Sequence, residues 1–349
     1  MADVVKLRRM KEDAAYKLRV KLLGKYGEKL RKIDQRLFDY VEDLSLEGQV
    51  TDDPSVRNRL GRRDVHNVYE LLAALKFLRI LKTYPFDLSL FNRARLLYEG
   101  RWTSDGRYIE GSGGLKMSGI NGRRTYRLTP IQVYMLAGVY GPKHYVNTEC
   151  LAGSRELLPS EIVGDDGYIW DLRRLVRRAV FFIPRKFCKT TMGAFFQTFG
   201  FMFEDYNYEG YCCANSMEQA KILYNMAYDM IHQLDPDEKR IRFTATEINW
   251  RRGQARAAKI IALSAGGKTK DGLFAQYCSS DEYGSAGYVK NHSDMASLVN
   301  VVEGSMGPRR EPLTIHTTTA GNVTLGPFQV MLDGVKRSLD DELLSEIGK

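Results

Sequence analysis

The sequence lacks the marks of a membrane protein or a secreted protein. It has no run of about 18 apolar residues, so we expect no transmembrane helix. The N-terminus, MADVVKLRRMKED, carries charges where a signal peptide needs an apolar segment. The cysteines are Cys150, Cys188, Cys212, Cys213 and Cys278. Their number is odd and their spacing is not that of a metal site, so we expect a reducing cytosol and no membrane association.

Acidic residues are few relative to basic ones. The 349 residues carry a net charge of +9 with a pI of about 9.1, which favours a polyanionic partner. Residues 1–36 alone contain twelve Lys or Arg and five Asp or Glu. Two interpretations stay open for this segment: a solvated basic helix, or an arm that faces DNA or a protein partner.

Helical patterns dominate the first third of the chain. Apolar residues between Val4 and Leu44 fall near one face of a helix, and VHNVYELLAALKFLRILKTY predicts a second helix that ends before Pro85. A third, short helix is predicted around residues 89–98. The next segment, EGSGGLKMSGINGRRTY, is rich in Gly and Ser and is typical of a flexible loop or linker. We predict a helical N-terminal region with its linker at residues 1–120.

Beyond this linker, helices and strands alternate. LTPIQVYMLAGVYG predicts a helix that Thr129 caps and Pro130 begins. RRAVFFI is a continuous apolar run, typical of a buried parallel strand. Further strands are predicted in EGYCCAN, IRFTATEINW, KIIALSA, LFAQYCSSDE and LTIHTTTAGN. The alternation predicts an α/β fold with a mainly parallel sheet flanked by helices, which binds its ligand at the carboxyl ends of the strands.

The segment IPRKFCKTT, residues 183–191, has the layout of a phosphate-binding loop without its glycines. In the pattern G-x-x-x-x-G-K-[ST], Ile183 and Cys188 stand at the glycine positions, while Lys189 and Thr190 are retained. Such a loop binds phosphate through backbone N–H groups and a helix N-terminus, and glycine is only a means to the tight turn. The alternative interpretation is a basic turn before a core helix.

Two other predicted strand ends carry polar side chains. Asp281 and Glu282 end the strand in LFAQYCSSDE, where a carboxylate pair can organise Mg²⁺ and activate a water molecule. TTTAGN, residues 317–322, places hydroxyl groups and a glycine at the end of another strand, where they can sense a γ-phosphate. Taken alone, an acidic strand end or a Thr-rich turn is equally compatible with a structural role.

In their order along the chain, these segments resemble the large terminase subunit of tailed bacteriophages, the motor that packages DNA into procapsids. The resemblance extends from about Leu128 to Leu339 and includes YCCANSMEQAKILYNMAYDMI and LSAGGKTKDGLFAQYCSSDEYGSA. It implies a P-loop ATPase with a helical subdomain, which an RNase H-like nuclease follows in the family. We therefore predict a P-loop NTPase core at residues 121–335 and, at residues 336–349, a helical linker toward an absent C-terminal domain.

The resemblance also implies roles for the matching residues. Lys189, Arg185 and Glu282 would be catalytic, and Thr190 and Asp281 would bind Mg²⁺. The implied nucleotide-binding residues are Gln132, Pro184, Arg185, Lys186, Cys188, Lys189, Thr190 and Thr191. The implied coupling residues are Thr318, Thr319, Gly321 and Asn322. Candidates for a basic finger that acts in trans in an assembled ring are Lys268, Lys270, Arg251 and Arg252.

The sequence departs from the family pattern at two points. Cys188 replaces the glycine before the lysine, which puts the affinity for nucleotide in question. The chain ends at Lys349, where the nuclease domain would follow, so we expect ATPase activity without nuclease activity.

The family further implies ATP and Mg²⁺ as cofactors, and double-stranded DNA, a portal protein and a small terminase subunit as partners. It also implies a homo-oligomeric ring when assembled, with a monomer open for the chain alone, in the cytoplasm of an infected bacterium. Two alternatives remain: a catalytically weakened nucleotide-binding assembly module, and a helicase-like DNA-dependent ATPase. The second is less favoured, because the chain after Gly321 is too short for another motor domain.

Overall fold

The structure is a computed structural model. It describes residues 2–44, 68–119, 122–183, 188–204, 207–251, 257–265, 272–285, 295–319 and 326–347. Among them, the helices are α1 (Ala2–Ile33), α2 (Gln35–Glu42), α3 (Val68–Thr83), α4 (Leu88–Glu99), α5 (Pro130–Tyr140), α6 (Lys189–Phe203), α7 (Met217–His232), α8 (Met295–Gly304) and α9 (Pro327–Ile347).

The strands in the same residues form three sheets. They are β1 (Lys116–Gly119), β2 (Gly122–Thr125), β3 (Lys143–Leu151), β4 (Glu161–Val163), β5 (Tyr168–Arg174), β6 (Arg178–Phe182), β7 (Glu209–Ala214), β8 (Ile241–Phe243), β9 (Glu247–Trp250), β10 (Lys259–Ser264), β11 (Tyr277–Asp281) and β12 (Leu313–Thr318).

The chain divides into two compact units. The first, here called the N-terminal unit, contains Met1–Arg95, Leu128–Leu175 and Leu332–Lys349; the second, the sheet unit, contains Leu96–Arg127 and Val176–Met331. The predicted domain bounds at residues 1–120, 121–335 and 336–349 stay a prediction.

The predicted N-terminal helices are confirmed in the N-terminal unit, with one break between α1 and α2. The break occurs at Asp34, whose side chain accepts a hydrogen bond from the backbone N–H of Arg36 and so caps α2. Tyr40 of α2 stacks on Tyr134 of α5 with ring centroids 4.9 Å apart, and the apolar faces of α2 and α3 are buried. The apolar stripe seen in the sequence is therefore the core of this unit.

Residues 143–174 contain three strands that the sequence pattern did not assign. They form an antiparallel sheet in the order β3-β5-β4. Their side chains alternate irregularly between buried and exposed positions, and a register shift interrupts the pairing of β3 with β5 between Asn147 and Leu151. A bulged, half-exposed strand of this kind carries a weak periodicity signal.

The sheet unit is built on seven strands in the order β6-β12-β11-β7-β10-β9-β8. The first five are parallel, whereas β9 and β8 add to β10 as antiparallel strands. Helices α6, α7 and α8 contact this sheet, and the buried phenylalanines of α6 supply much of its core. The predicted α/β fold with a mainly parallel sheet, flanked by helices and preceded by a helical region, is confirmed.

The Gly- and Ser-rich segment at residues 110–126 was predicted to be a flexible linker, and this expectation is wrong for its described residues. Strands β1 and β2 form an antiparallel hairpin there. Gly114 has φ +91°, and a Cβ on it would lie 2.7 Å from the backbone nitrogen of Gly100. The glycines therefore allow two backbone segments to pack closely, a use that composition cannot distinguish from flexibility.

Among the described residues, no helix is long and apolar enough to span a membrane.

Candidate nucleotide-binding site

The strand order brings the carboxyl ends of three strands together, two of which carry polar side chains. Strand β12 lies between β6, which leads toward α6, and β11, which ends in Asp281. All three strands are parallel, so their carboxyl ends lie at one edge of the sheet. Ligands bind at this edge in α/β sheets because loops and helix N-termini meet there.

Lys189, the first residue of α6, connects the helix to both predicted carboxylates. Its Nζ lies 3.0 Å from Oδ1 of Asp281 and also donates to Oε1 of Glu282. The lysine side chain is 10% exposed and that of Asp281 13%, whereas that of Glu282 is 38% exposed. A largely desolvated ammonium between two carboxylates interacts with them more strongly than a surface ion pair would.

Asp281 accepts hydrogen bonds from three further groups. The hydroxyl groups of Thr190 and Thr317 each donate to it at 2.7 Å, and the backbone N–H of Glu282 donates at 3.0 Å. The two hydroxyls come from α6 and β12, respectively. These donors hold the carboxylate in one orientation.

Glu282 adopts a left-handed backbone conformation, with φ 57°. A non-glycine residue in this region is strained, and such residues persist where the surrounding structure holds them. The Oε2 atom of Glu282 lies 3.2 Å from the hydroxyl of Thr319 and 3.5 Å from its backbone nitrogen. The turn thus directs the carboxylate toward both Lys189 and Thr319.

Cys188, the N-cap of α6, is also left-handed, with φ 57° and ψ 28°. Glycine adopts this conformation without a steric penalty, whereas an L-residue does not. The residue that replaces the usual glycine therefore keeps a backbone conformation that glycine favours.

A cluster of three buried residues supports the acidic strand end, and the sequence did not single them out. Ser280 and His316 lie opposite each other in the β11–β12 pairing, with the Ser280 hydroxyl 2.6 Å from Nδ1 of His316. The His316 ring stacks on Tyr283, with centroids 4.2 Å apart. Burial, with a contribution from the positive charge of Arg178, lowers the pKa of His316 from 6.5 to about 3. The imidazole is therefore neutral at physiological pH.

This cluster joins the residues before and after the Asp281-Glu282 pair to β12. The only sequence signal for it was a histidine inside a predicted buried strand, in LTIHTTT. That signal could not identify Ser280 or Tyr283, because the register between two parallel strands far apart in the chain is set by the folded sheet.

Thr318 connects the site to the short 3₁₀ turn Tyr283–Ser285. Its hydroxyl accepts a hydrogen bond from the backbone N–H of Gly284 at 2.8 Å and donates to the carbonyl of Thr319 at 2.8 Å. The hydroxyl of Ser285 in turn lies 3.1 Å from Nδ2 of Asn215, just after β7. Hydrogen bonds therefore run from the Glu282 partner Thr319 to a neighbouring strand end.

Three predicted residues lie elsewhere or face other groups. Gln132 belongs to the N-terminal unit, where its Oε1 accepts from the backbone N–H of Thr129 at 2.9 Å and caps α5. The hydroxyl of Thr191 lies 3.9 Å from Sδ of Met226 on α7. Arg251 donates to the carbonyl of Glu238 beside the antiparallel strands. Their predicted roles in nucleotide binding and as a finger acting in trans stay predictions.

Eight other predicted residues lie outside the described residues. They are Pro184, Arg185, Lys186, Arg252, Lys268, Lys270, Gly321 and Asn322. Their implied roles stay predictions as well.

The described residues can hold a magnesium ion only with oxygen ligands supplied by other groups. Among them, no three His, Cys, Asp or Glu side chains form a metal-binding cluster. Thr190 and Asp281 offer a hydroxyl and a carboxylate oxygen 2.7 Å apart. This small donor set fits Mg²⁺, which is usually bound by one or two protein oxygens together with water and substrate phosphates.

Comparison with protein families gives one match for this region. Residues 168–337 match the family described as terminase large subunit, ATPase domain. The matched segment contains β6, α6, β11 and β12, and with them the polar strand ends described above. A comparison with curated proteins found no match.

Several solved structures are similar to the chain. The large terminase of bacteriophage HK97 is 20% identical over 72% of this chain and 42% of its own, with a TM-score of 0.48. The ATPase domain of the Thermus phage P74-26 large terminase is 12% identical over 42% of this chain and 61% of its own, with a TM-score of 0.34. The N-terminal domain of the phi29 DNA packaging ATPase is 13% identical over 46% of this chain and 80% of its own, with a TM-score of 0.33.

The chain thus spans less than half the length of the HK97 protein. The family match includes Lys189, Asp281 and Glu282 of the candidate site. Residues 168–337 match the terminase large-subunit ATPase domain, the family that the ordered sequence motifs predicted.

Proposed function

We propose that this chain is the ATP-hydrolysing motor part of a DNA-packaging terminase, which couples hydrolysis to the movement of double-stranded DNA into a procapsid. One observation carries the proposal: Lys189, Thr190, Asp281 and Glu282 meet at the carboxyl edge of a parallel sheet. A cation, a hydroxyl and two carboxylates in this arrangement suit phosphoryl transfer from a nucleotide to water.

Binding of ATP would change the partners of Lys189. Its ammonium now bridges Asp281 and Glu282. Phosphate oxygens carry more negative charge and would recruit the ammonium, which leaves Glu282 able to accept a proton from the attacking water. Bound Mg²⁺ would neutralise charge on the phosphates, with Thr190 and Asp281 as its protein ligands. Lys189 would therefore restrain Glu282 until phosphate oxygens replaced the carboxylate as its partner.

Coupling would begin at Glu282. Thr319 contacts the Glu282 carboxylate, and Thr318 holds the turn that contains Gly284. A change in the position of Glu282 would move these two threonines and the turn together, because hydrogen bonds of 2.8 to 3.5 Å connect them in series. We assign the coupling role to Thr318 and Thr319 on this ground.

The test is steady-state ATP hydrolysis with Mg²⁺, with and without double-stranded DNA, for the wild type and Glu282→Gln. Removal of the base should lower turnover by about 10²- to 10⁴-fold, while nucleotide binding is retained. Glu247→Gln, at an exposed position on β9, is the matched control and should leave turnover unchanged.

Each alternative has its own outcome. Turnover that DNA stimulates supports the motor. Nucleotide that binds but is not hydrolysed by the wild type, even at high protein concentration, points to the weakened assembly module or to a missing neighbouring subunit. If nucleotide does not bind at all, the phosphate-loop interpretation of residues 183–191 is wrong.

A further inference from the structure

The segment that leads into the β1–β2 hairpin packs closely on itself, although its sequence is typical of a linker. Both Gly100, with φ +65°, and Gly114 occur where the chain crosses itself, and a Cβ on Gly100 would lie 2.5 Å from the carbonyl oxygen of Gly113. The indole of Trp102 donates to the carbonyl of Glu99 at 2.7 Å, and the Tyr108 hydroxyl donates to the carbonyl of Gly113 at 2.6 Å.

Two helices of the sheet unit anchor this segment. Gln233, after α7, forms two hydrogen bonds with the backbone of Lys116, at 2.7 Å and 3.0 Å. Tyr98, just before the hairpin segment, packs edge-on against Phe195 of α6 with ring centroids 5.1 Å apart. The hairpin therefore contacts the end of α7 directly, whereas the chain that leads into it packs on the helix that begins with Lys189.

The anchored segment presents an excess of positive charge. Residues 101–127 contain six Lys or Arg and two Asp or Glu. Two of the cations have acidic partners, Arg107 with Asp105 and Arg123 with Asp229. The other four are exposed and have no acidic partner among the described residues: Arg101, Lys116, Arg124 and Arg127.

The hairpin register distributes this charge over both faces of the ribbon. Lys116 is paired with Thr125, and Met117 with Arg124, so Lys116 and Arg124 lie on opposite faces. A two-stranded ribbon is narrow enough to enter the major groove of B-form DNA, which has a row of phosphates on each side. Cations on both faces of such a ribbon can contact both rows of phosphates. A flat acidic partner would contact the cations of one face only.

We propose that the basic segment around the hairpin, at residues 101–119 and 122–127, is a surface that binds the phosphate backbone of double-stranded DNA without reading its sequence. This inference rests on the proposed function and adds to it the surface that contacts the DNA. The hairpin contacts α7 and the chain that leads into it packs on α6, so movement of these helices during hydrolysis would be transmitted to the bound duplex.

The experiment measures fluorescence anisotropy of a labelled DNA duplex with the full chain over a series of salt concentrations. Each lost phosphate contact reduces the slope of log K against log salt by about 0.9. Arg124→Ala/Arg127→Ala should therefore reduce the slope by about 2 and weaken binding by about 10- to 100-fold near 0.1 M salt. The double variant Arg124→Lys/Arg127→Lys should bind almost as the wild type does, because phosphate contacts accept either cation.

Lys239→Ala/Arg242→Ala is the matched control, since it removes the same charge from exposed positions beside the antiparallel strands. It should change neither slope nor affinity beyond a small nonspecific effect. Thermal unfolding checks that the folds are equal. If the alanine variant fails to fold, Arg124→Gln/Arg127→Gln replaces it, with the same expected loss.

Several outcomes would refute the proposed DNA-binding surface. They are a wild type that does not bind the duplex, an alanine variant whose slope equals that of the control, and tighter binding to single-stranded DNA of the same length. ATP hydrolysis without DNA, measured on the same proteins, separates the two proposals. Retained hydrolysis with an unchanged slope refutes the surface alone, whereas a reduced slope in a chain that binds no nucleotide refutes the motor alone.

Discussion

The parallel and antiparallel halves of the seven-stranded sheet differ in the kind of side chain that they bury. In the antiparallel half, β8 and β9 follow the usual alternation, with Ile241 and Ile248 buried and Arg242 and Glu247 exposed. In the parallel half, β11 and β12 bury many polar side chains. These are Ser279, Ser280, Thr314, His316, Thr317 and Thr318.

Burial of polar groups is costly unless hydrogen bonds compensate it. In β11 and β12, Thr317 donates to the Asp281 carboxylate, and Thr318 accepts from the backbone N–H of Gly284 in the turn after Glu282. Strands β11 and β12 therefore bury polar side chains beside the candidate site, whereas β8 and β9 bury apolar side chains.

In the comparison of the two halves, the largest effect is expected from Asp281→Asn, which removes the carboxylate charge at the end of β11. It leaves Lys189 with one carboxylate and weakens the bonds from Thr190 and Thr317. We expect ATP hydrolysis to fall by about 10²- to 10³-fold. Asp237→Asn, at an exposed carboxylate before β8, is the control and should hydrolyse ATP as the wild type does. Equal rates for the two variants would show that the polar cluster has no catalytic role.

A smaller effect is expected from Gly210→Ala in β7 of the parallel half. A Cβ there would lie 2.3 Å from Oε1 of Gln197, which accepts a buried hydrogen bond from Tyr208 at 2.5 Å. Overpacking should lower the free energy of unfolding by about 1–3 kcal/mol. Asn249→Ala in β9 should change it by less than about 0.5 kcal/mol. Urea denaturation measures both, and equal losses would contradict the contrast between the halves.

The pH dependence of stability should reveal the buried histidine. The folded-state pKa of His316 is lowered to about 3 from 6.5, so the unfolded chain binds the proton more tightly. Its neutral form therefore supports the fold fully above pH 6.5, and this support is lost as the pH falls from 6.5 toward 3. Arg178, Glu303 and Tyr283 are the other ionisable groups around the ring.

His316→Gln removes this group and tests its contribution. The difference in unfolding free energy between wild type and variant should change by about 1.4 kcal/mol per pH unit below pH 6.5. Denaturation at several pH values measures the difference and cancels the carboxylates common to both proteins. Parallel curves for wild type and variant would contradict the buried, neutral state of His316.

The smallest effect is expected at Cys188, at the start of the helix that packs on the parallel half. Cys188→Gly removes the strain of a left-handed residue, worth roughly 1 kcal/mol, and loses part of the gain to the greater freedom of glycine when unfolded. A stabilisation of a few tenths to about 1 kcal/mol should follow. Cys188→Ala keeps the strain and should show no gain. A thermal melt that ranks alanine at or above glycine would refute the strain.

The sequence determined the local features of this protein. Apolar periodicity predicted the helical segment that forms α1 and α2 as well as α3, a cap and a proline predicted α5, and a continuous apolar run predicted β6. The ordered motifs identified the terminase ATPase region before any contact was known. Lys189, Asp281 and Glu282 could be selected because the lysine after a strand and the acids at a strand end occur in the order of the family's motifs, whereas each alone is compatible with a structural role.

Only the tertiary structure decided how distant segments meet. The order β6-β12-β11 places Thr317 beside Asp281, and the β11–β12 register places His316 beside Ser280. Glycines at residues 100 and 114 became a tight crossing rather than a linker because each found another backbone segment to pack against. Such pairings depend on contacts between residues far apart in the chain, and no local pattern of side chains encodes their register.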